Sequence, residues 1–368
     1  MKSSSNCSST SGDMLTEDLI YEILLRLPVK SLLCFKAVSK YWCSLIRSPS
    51  FIKSHLSITR PGDDETLIVV EHHDDLSFSL LHLGCCKIAA DLKSPFSEGE
   101  LPSRDPYVEI VGSANGIVCV SSCDVQFSFL KCTYLWNPAT KEKKLIPPHT
   151  TPDGKQNYNV PSGIGFDPID NDFKVVTHNH DAVYSANMNA WRAIPSNSVI
   201  SSLRISFGVW VDRFLCWTTI RGGFTALDLN KEVFNFFTEL PNRFKYGHIA
   251  KFNNSIVVIN NEDEGYNKRG GEFSLWMLDD VECLSGGGAE ASWTPMLTVN
   301  VDVRITVLYA QQYFNTGNLL ISCGGSWYLY NTDTKENKKL PVSETWGHIF
   351  MYKESLVSIA GFKHVECS

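Results

Sequence analysis

The chain has 368 residues, 43% of them hydrophobic and 20% charged, a globular composition with material for two or three domains that excludes wholesale disorder. Its formal net charge of −7 repels phosphate backbones and argues against a dedicated nucleic-acid binder. No apolar run approaches the ~20 residues of a membrane-spanning helix, and the opening MKSSSNCSSTSGDM has no signal-peptide core, so the expected location is cytoplasm and/or nucleus.

Residues 1–13 are polar and serine-rich and are expected to be a disordered tail. From Leu15 the texture turns helical. TEDLIYEILLRL places Leu19, Ile20, Ile23, Leu24 and Leu27 on one helical face. Thr16 suits the N-cap, Glu17 and Asp18 put negative charge in the first turn, where the helix dipole favours it, and Pro28 ends the segment. A second helix carries Val29, Leu32, Leu33 and Phe35. A third starts at Ser39 and runs through Trp42, Leu45 and Ile46, and Pro49 opens a fourth covering Phe51 to Leu56. A unit of this size, residues 14–56, struggles to shelter its own apolar surface, so it needs a partner or the rest of the chain.

After Pro61 the chain reads as short strands bounded by Asn, Asp, Gly and Pro: LIVVE, SFSLLHL, GIVCV, FKVVT, FLCWTT, SIVVIN and NLLIS. A phrase of apolar strand, Asn/Asp-rich turn, polar strand and proline recurs, ending at Pro147, Pro195, Pro241, Pro295 and Pro341, in steps of 48, 46, 54 and 46 residues. Such a period marks a β-propeller; a pair of β-sandwiches would also give short strands, but no regular step. The segment 60–110 is long enough for one more blade, and the final strand within 348–361 could close the ring against an N-terminal one. The expected fold is mainly β: a small α-helical N-terminal unit, then a β-propeller-like repeat domain of six to eight blades over residues 60–368.

Other features favour no chemistry. Cys119, Cys123 and Cys132 lack the second tight pair of a zinc site and read as core cysteines, and the adjacent Cys85 and Cys86 suit neither a disulfide nor a site. His72-His73-Asp74-Asp75 and His178-Asn179-His180-Asp181 read as solvated turns. Gly163-Ile164-Gly165 lacks the third glycine of a dinucleotide fingerprint, and no nucleophile elbow or phosphate loop is present. No catalytic residue, cofactor or metal is therefore expected. Loops 149–163, 262–272 and 284–292 are unusual enough in length or composition to meet a partner, though solvent-filling insertions explain them equally well.

The segment 14–56 resembles an F-box, through Leu15, Glu17-Asp18, Leu19, Ile23, Leu27-Pro28, Ser31-Leu32, Val38-Ser39-Lys40 and Trp42. It departs at Thr16, where that family usually has proline. The remainder resembles the F-box-associated domain of plant F-box proteins, a group that includes the S-locus F-box proteins, through GSANGIVCV, LWNPATKEKKLIP, GIGFDPIDNDFKVV, AVYSANMNAWRAIP, ASWTPMLTV and YKESLVSIAG. The resemblance implies a non-catalytic substrate receptor of a Skp–cullin–F-box ubiquitin ligase. Its partners would be a Skp-type adaptor, through it cullin and a RING protein, and a protein target. Leu15, Leu19, Ile23, Leu27, Pro28, Leu32 and Leu33 are expected to dock the adaptor, and Val38, Trp42, Leu45 and Ile46 to form the unit's own core; no target-binding residue is singled out. The alternatives are an S-locus protein that recognises a style ribonuclease or, in another class, a propeller enzyme or lectin with a helical extension.

Overall fold

The computed structural model describes residues 16–58, 66–72, 76–97, 99–101, 106–124, 129–150, 156–157, 161–177, 182–194, 208–219, 223–237, 240–241, 247–261, 271–286, 291–301, 308–314, 316–323, 326–342 and 348–364. The chain divides into two compact units, residues 1–60 and 61–368. The expected tail 1–13, the connection after Ile58, both His-Asp stretches past His72 and most of loops 149–163 and 262–272 lie outside the described residues.

The first unit holds four short helices, α1 (Glu17–Leu25), α2 (Val29–Phe35), α3 (Lys40–Arg47) and α4 (Pro49–Ser57). Three start on hydroxyl caps, two of them, Thr16 and Ser39, expected from the sequence, and the third, Ser48, added by the structure. Thr16 Oγ1 accepts from Leu19 N at 3.3 Å, Ser39 Oγ from Trp42 N at 3.1 Å and Ser48 Oγ from Phe51 N at 3.3 Å, each satisfying an N–H that the helix leaves unpaired. Thr16 thus caps where proline would have preset the turn. Pro28 sits at the N-cap of α2 and Pro49 at the first turn of α4.

The second unit is a β-propeller of six blades among the described residues. Every blade pairs its strands antiparallel, and in blades 2 to 6 the inner strand comes first in the chain. Blade 2 runs from Pro106–Ala114 outward, blade 3 from Pro161–Asp167, blade 4 from Val209–Val211, blade 5 from Gly247–Phe252 and blade 6 from Leu308–Tyr313. Blade 1 is composite: the late strand His348–Met351 is its inner strand and pairs with Thr66–His72. The ring therefore closes as expected, at the low end of the six-to-eight range.

Six apolar clusters fill the joints between neighbouring blades. Ile68, Val108 and Trp136 lie between blades 1 and 2, Leu135, Ile164 and Tyr184 between 2 and 3, and Val176, Leu215 and Trp217 between 3 and 4. Phe214 and Ile256 join blades 4 and 5, Val257 and Leu319 blades 5 and 6, and Leu320 and Ile349 blades 6 and 1. Adjacent residues such as Ile256 and Val257 thus serve opposite faces. This is why the strand next to the inner one reads in each blade as an unbroken apolar run and not as an alternation: both of its faces are buried. Gly165 belongs to this packing, since a Cβ there would sit 2.5 Å from Leu229 Cδ1 and 2.8 Å from Trp210 Cδ1. The GIG phrase is a strand pressed against blade 4, not a nucleotide loop.

The recurrent Asn/Asp turns have one design. Asn137, Asp167, Asp228 and Asn331 each accept from the backbone N–H two and three residues on. The residue four positions on (Lys141, Asn171, Glu232 or Lys335) has φ between 50° and 62°, in the left-handed region. A fifth turn of this spacing runs from Ser185, whose Oγ accepts from Met188 N, to Asn189 at φ 52°. One proline departs from the repeat. Pro295 lies inside the outer strand Trp293–Val301, beside a register shift, and does not follow it, so the 54-residue step measures a longer turn and a bulge.

Lysines bind blade to blade. Lys174 Nζ, in blade 3, is 3.2 Å from Asp167 Oδ2 of its own blade and donates at 2.5 Å to the Leu229 carbonyl of blade 4. Lys144 Nζ, in blade 2, donates at 2.8 Å to the Ala186 carbonyl of blade 3. Burial alone would raise the Asp167 carboxyl, but bonds from Asn230, the Ile169 N–H and Lys174 outweigh it and hold the carboxyl below its usual range.

Candidate functional site: the outer face of the helical unit

Apolar residues of α1 divide into two groups. Leu24 and Leu25 are buried, 1% and 5% exposed, whereas Leu19 and Ile23 are 47% and 44% exposed. Leu19 and Ile23 stand four residues apart and form one stripe along the helix. A helix apolar on its inner side and along an outer stripe has more greasy surface than its own unit covers. The stripe lies beside an exposed ion pair, Arg26 Nη1 to Glu22 Oε2 at 2.8 Å.

The corner after α1 is held from behind. Leu27 is half-buried and Pro28 exposed. The Leu27 carbonyl is 2.9 Å from Nε2 of His55, which is itself 1% exposed and stacks on Phe51 at a centroid distance of 6.0 Å. Tyr21 meets Phe51 edge-on at 5.5 Å. His55, which the sequence reading passed over, therefore fixes the Leu27–Pro28 corner from α4. Its signal was faint: a histidine one turn after Phe51, inside an otherwise apolar helix face.

Two expected assignments change. Leu32, expected to dock a partner, is 0% exposed and joins Val29, Leu25 and Ile46 in the interior. Val29 opens α2, so positions 29 and 32 fall on its inner side, and Leu33, one residue further round, is half-buried. Val38, expected in the core, is 61% exposed, because it lies in the turn between α2 and α3, outside any helical period. Of the remaining expected core, Ile46 is buried, Leu45 is half-buried, and Trp42 is half-buried against Phe35 at 5.3 Å. Leu15 lies outside the described residues. The outer face thus comprises Leu19, Ile23 and Pro28, with Leu27 and Leu33 at its edge. Val38 and Tyr41, the latter 46% exposed, form a second apolar place at the α2–α3 corner.

Cys119 and Cys132 are packing groups of the propeller. Cys119 is 0% exposed in the joint between blades 2 and 3, where burial pushes its thiol up. Cys132 packs on the other face of blade 2, its Sγ 3.4 Å from Ser122 Oγ, and the Cys123 side chain lies outside the described residues. Of the adjacent pair, Cys86 is buried and Cys85 exposed. Among the described residues no three His, Cys, Asp or Glu side chains gather as a metal site, and no helix is long and apolar enough to cross a membrane.

Comparison with known proteins gives two family matches. A family described as the F-box domain matches residues 13–54, and one described as the F-box associated beta propeller domain matches residues 65–285. The second match ends in blade 5, while the ring continues through blade 6. The F-box/kelch-repeat protein At3g23880 of Arabidopsis thaliana is 30% identical over 244 residues, covering 61% of this chain and 64% of its own length. The chain thus spans just under two thirds of that relative. F-box protein CPR1 of Arabidopsis thaliana is 29% identical over 326 residues, covering 77% of this chain and 72% of its own. Among solved structures, that of a nidogen/laminin complex aligns at 11% identity with a TM-score of 0.46, covering 77% of this chain and 96% of that one.

Proposed function

This chain belongs to the F-box associated β-propeller family, and from that premise we propose that it is the substrate-recognition subunit of a Skp–cullin–F-box ubiquitin ligase. The observation that carries the reading is a coincidence of place. The F-box match at 13–54 falls on the four-helix unit whose first helix leaves Leu19 and Ile23 exposed on one stripe. In this reading a Skp-type adaptor covers that stripe with Leu27, Pro28 and Leu33, and cullin and a RING protein follow through the adaptor. The propeller binds a protein target, in the cytosol or nucleus.

The mechanism is proximity. Holding a target lysine beside a charged conjugating enzyme turns a bimolecular transfer into an effectively unimolecular one. In this reading the chain supplies binding surfaces and no reacting group. The family matches support F-box proteins at large, and the narrower reading as an S-locus protein draws nothing specific from them.

The test is affinity purification of the tagged full chain from plant cells, followed by mass spectrometry. Adaptor and cullin should be recovered with the full chain and lost when residues 14–56 are deleted. Recovery of cullin without those residues, or of no adaptor with the full chain, overturns the reading.

A further inference from the structure

Turns of blades 3 and 4 meet at one end of the ring, where each blade passes from its first strand to its second and from its third to its fourth. Asn230 Nδ2, in the turn 228–232, donates to Asp167 Oδ2 at 3.1 Å. Asn187, in the turn 185–189, donates its backbone N–H to Asp172 Oδ1 at 2.9 Å and its Nδ2 to the Asn171 carbonyl at 3.1 Å. Lys174 Nζ lies 3.7 Å from Asp170 Oδ2 and 3.3 Å from Glu232 Oε1, and Arg192 pairs with Glu232. The turns 167–171, 185–189 and 228–232 are thereby braced into one surface.

That surface holds out apolar side chains. Ile169 is 64% exposed, Met188 71% and Val233 50%. Among the described residues of the propeller the other exposed large hydrophobics are Ile88 and Leu145, so most of them gather on these joined turns. Single exposed hydrophobics are ordinary, but a cluster marks a contact surface. The turns themselves need no greasy side chain here: Ile169 N is bonded by Asp167 Oδ1 at 2.9 Å and Met188 N by Ser185 Oγ at 3.1 Å, which a polar residue would allow as well.

The rim of this surface is acidic. Arg213 links it to blade 5, with Nε 3.4 Å from Asp228 Oδ2 and Nη2 2.9 Å from Glu282 Oε2. Among the described residues on and beside the turns of blades 3, 4 and 5 at this end, five acids are exposed, Asp170, Asp212, Asp279, Asp280 and Glu282, against two bases, Arg192 and Lys231.

We propose that this face docks a protein partner through a basic segment that carries apolar side chains. The apolar residues of the segment cover Ile169, Met188 and Val233, where removal from water supplies the affinity. Its lysines or arginines meet the acidic rim, which steers the encounter and sets the orientation. The same rim repels a nucleic acid. In the ligase reading this partner is the target, an assignment that rests on that reading; the surface itself does not.

The test selects a displayed library of random dodecapeptides on the immobilised full chain, with counter-selection on the triple variant Ile169→Ser, Met188→Ser, Val233→Ser. The three side chains are exposed, so the variant should fold, which circular dichroism checks. Surviving peptides should combine net positive charge with large apolar residues. Their binding should weaken about tenfold when salt is raised from about 50 to about 500 mM, and about threefold or more in the double variant Asp170→Asn, Glu282→Gln. Should the triple variant fail to fold, selection without the counter-step is read by the same salt and double-variant measurements. No surviving peptide, survivors without positive charge, or binding indifferent to salt and to the double variant overturns the proposal. No readout involves the adaptor, so failure here is distinct from failure of the ligase reading.

Discussion

Val69 and Ile349 are partners on one antiparallel ladder, both buried, at 1% and 5% exposure. The ladder builds blade 1 from the two ends of the propeller and so closes the ring. Ile349→Ala should cost about 2–5 kcal/mol, the usual range for a buried isoleucine truncated in a core. Ile169→Ala, at a turn position 64% exposed, should change stability by no more than about 0.5 kcal/mol. Urea denaturation of both variants checks the contrast.

Charged side chains should rank by burial. Lys174 and Asp167 are 1% and 0% exposed at the side chain. Lys174→Met strands a buried carboxylate and should cost about 3–5 kcal/mol. Lys144→Met, which forfeits one bond to the Ala186 carbonyl, should cost about 1–3 kcal/mol. Arg26→Ala, which breaks an exposed pair with Glu22, should cost well under about 1 kcal/mol. Equal losses in the three variants would contradict the ranking.

Glu109 should make stability fall as pH rises. It stands opposite Ser121, which in turn stands opposite Thr133, on successive strands of blade 2. Burial pushes its carboxyl up to about 7, against about 4.3 in an unfolded chain. Between those values the folded protein keeps a proton that the unfolded chain has released, so the native state loses ground through that window and levels off above it. Glu109→Gln should flatten the slope and add on the order of 2–3 kcal/mol at pH 8. Asp167 has the opposite sign: its lowered carboxyl contributes stability that is lost as pH falls through its folded value. Denaturation midpoints between pH 5 and 8 isolate the Glu109 effect.

The repeated turn makes a two-sided prediction. Asn137 is buried; its Oδ1 accepts from Ala139 N, and its Nδ2 donates to the Ser355 and Val357 carbonyls. Asn137→Ala removes these bonds and the one from Thr140 N, and should cost about 1–3 kcal/mol or more. Lys141, at φ 58° and exposed, sits in a conformation that costs a side chain about 1–2 kcal/mol. Lys141→Gly should therefore gain up to about 1 kcal/mol, after the entropy of glycine is offset. Thermal melts of the two variants should move in opposite directions.

Much of this architecture is legible in the residues, and the reasons are local. Thr16, Ser39 and Pro49 announce helix starts because caps act within one turn. Runs such as SIVVIN and NLLIS announce strands buried on both faces. What stayed hidden depends on distant partners. The blade count stayed open between six and eight, since blade 1 takes its inner strand from residues 348–351 and adds no step to the period. Lys174 reads as a surface residue in FKVVT, because its carbonyl acceptor belongs to the next blade. Leu32 and Val38 could not be sorted until the angular start of α2 was known.

The most direct test of the central claim is binding of a purified Skp-type adaptor to the full chain and to the double variant Leu19→Asp, Ile23→Asp, with circular dichroism confirming that both fold. Both side chains are already half-exposed, so the fold should survive, while carboxylates placed beneath an apolar contact should weaken adaptor binding at least a hundredfold. Unchanged affinity in a folded double variant would contradict the account.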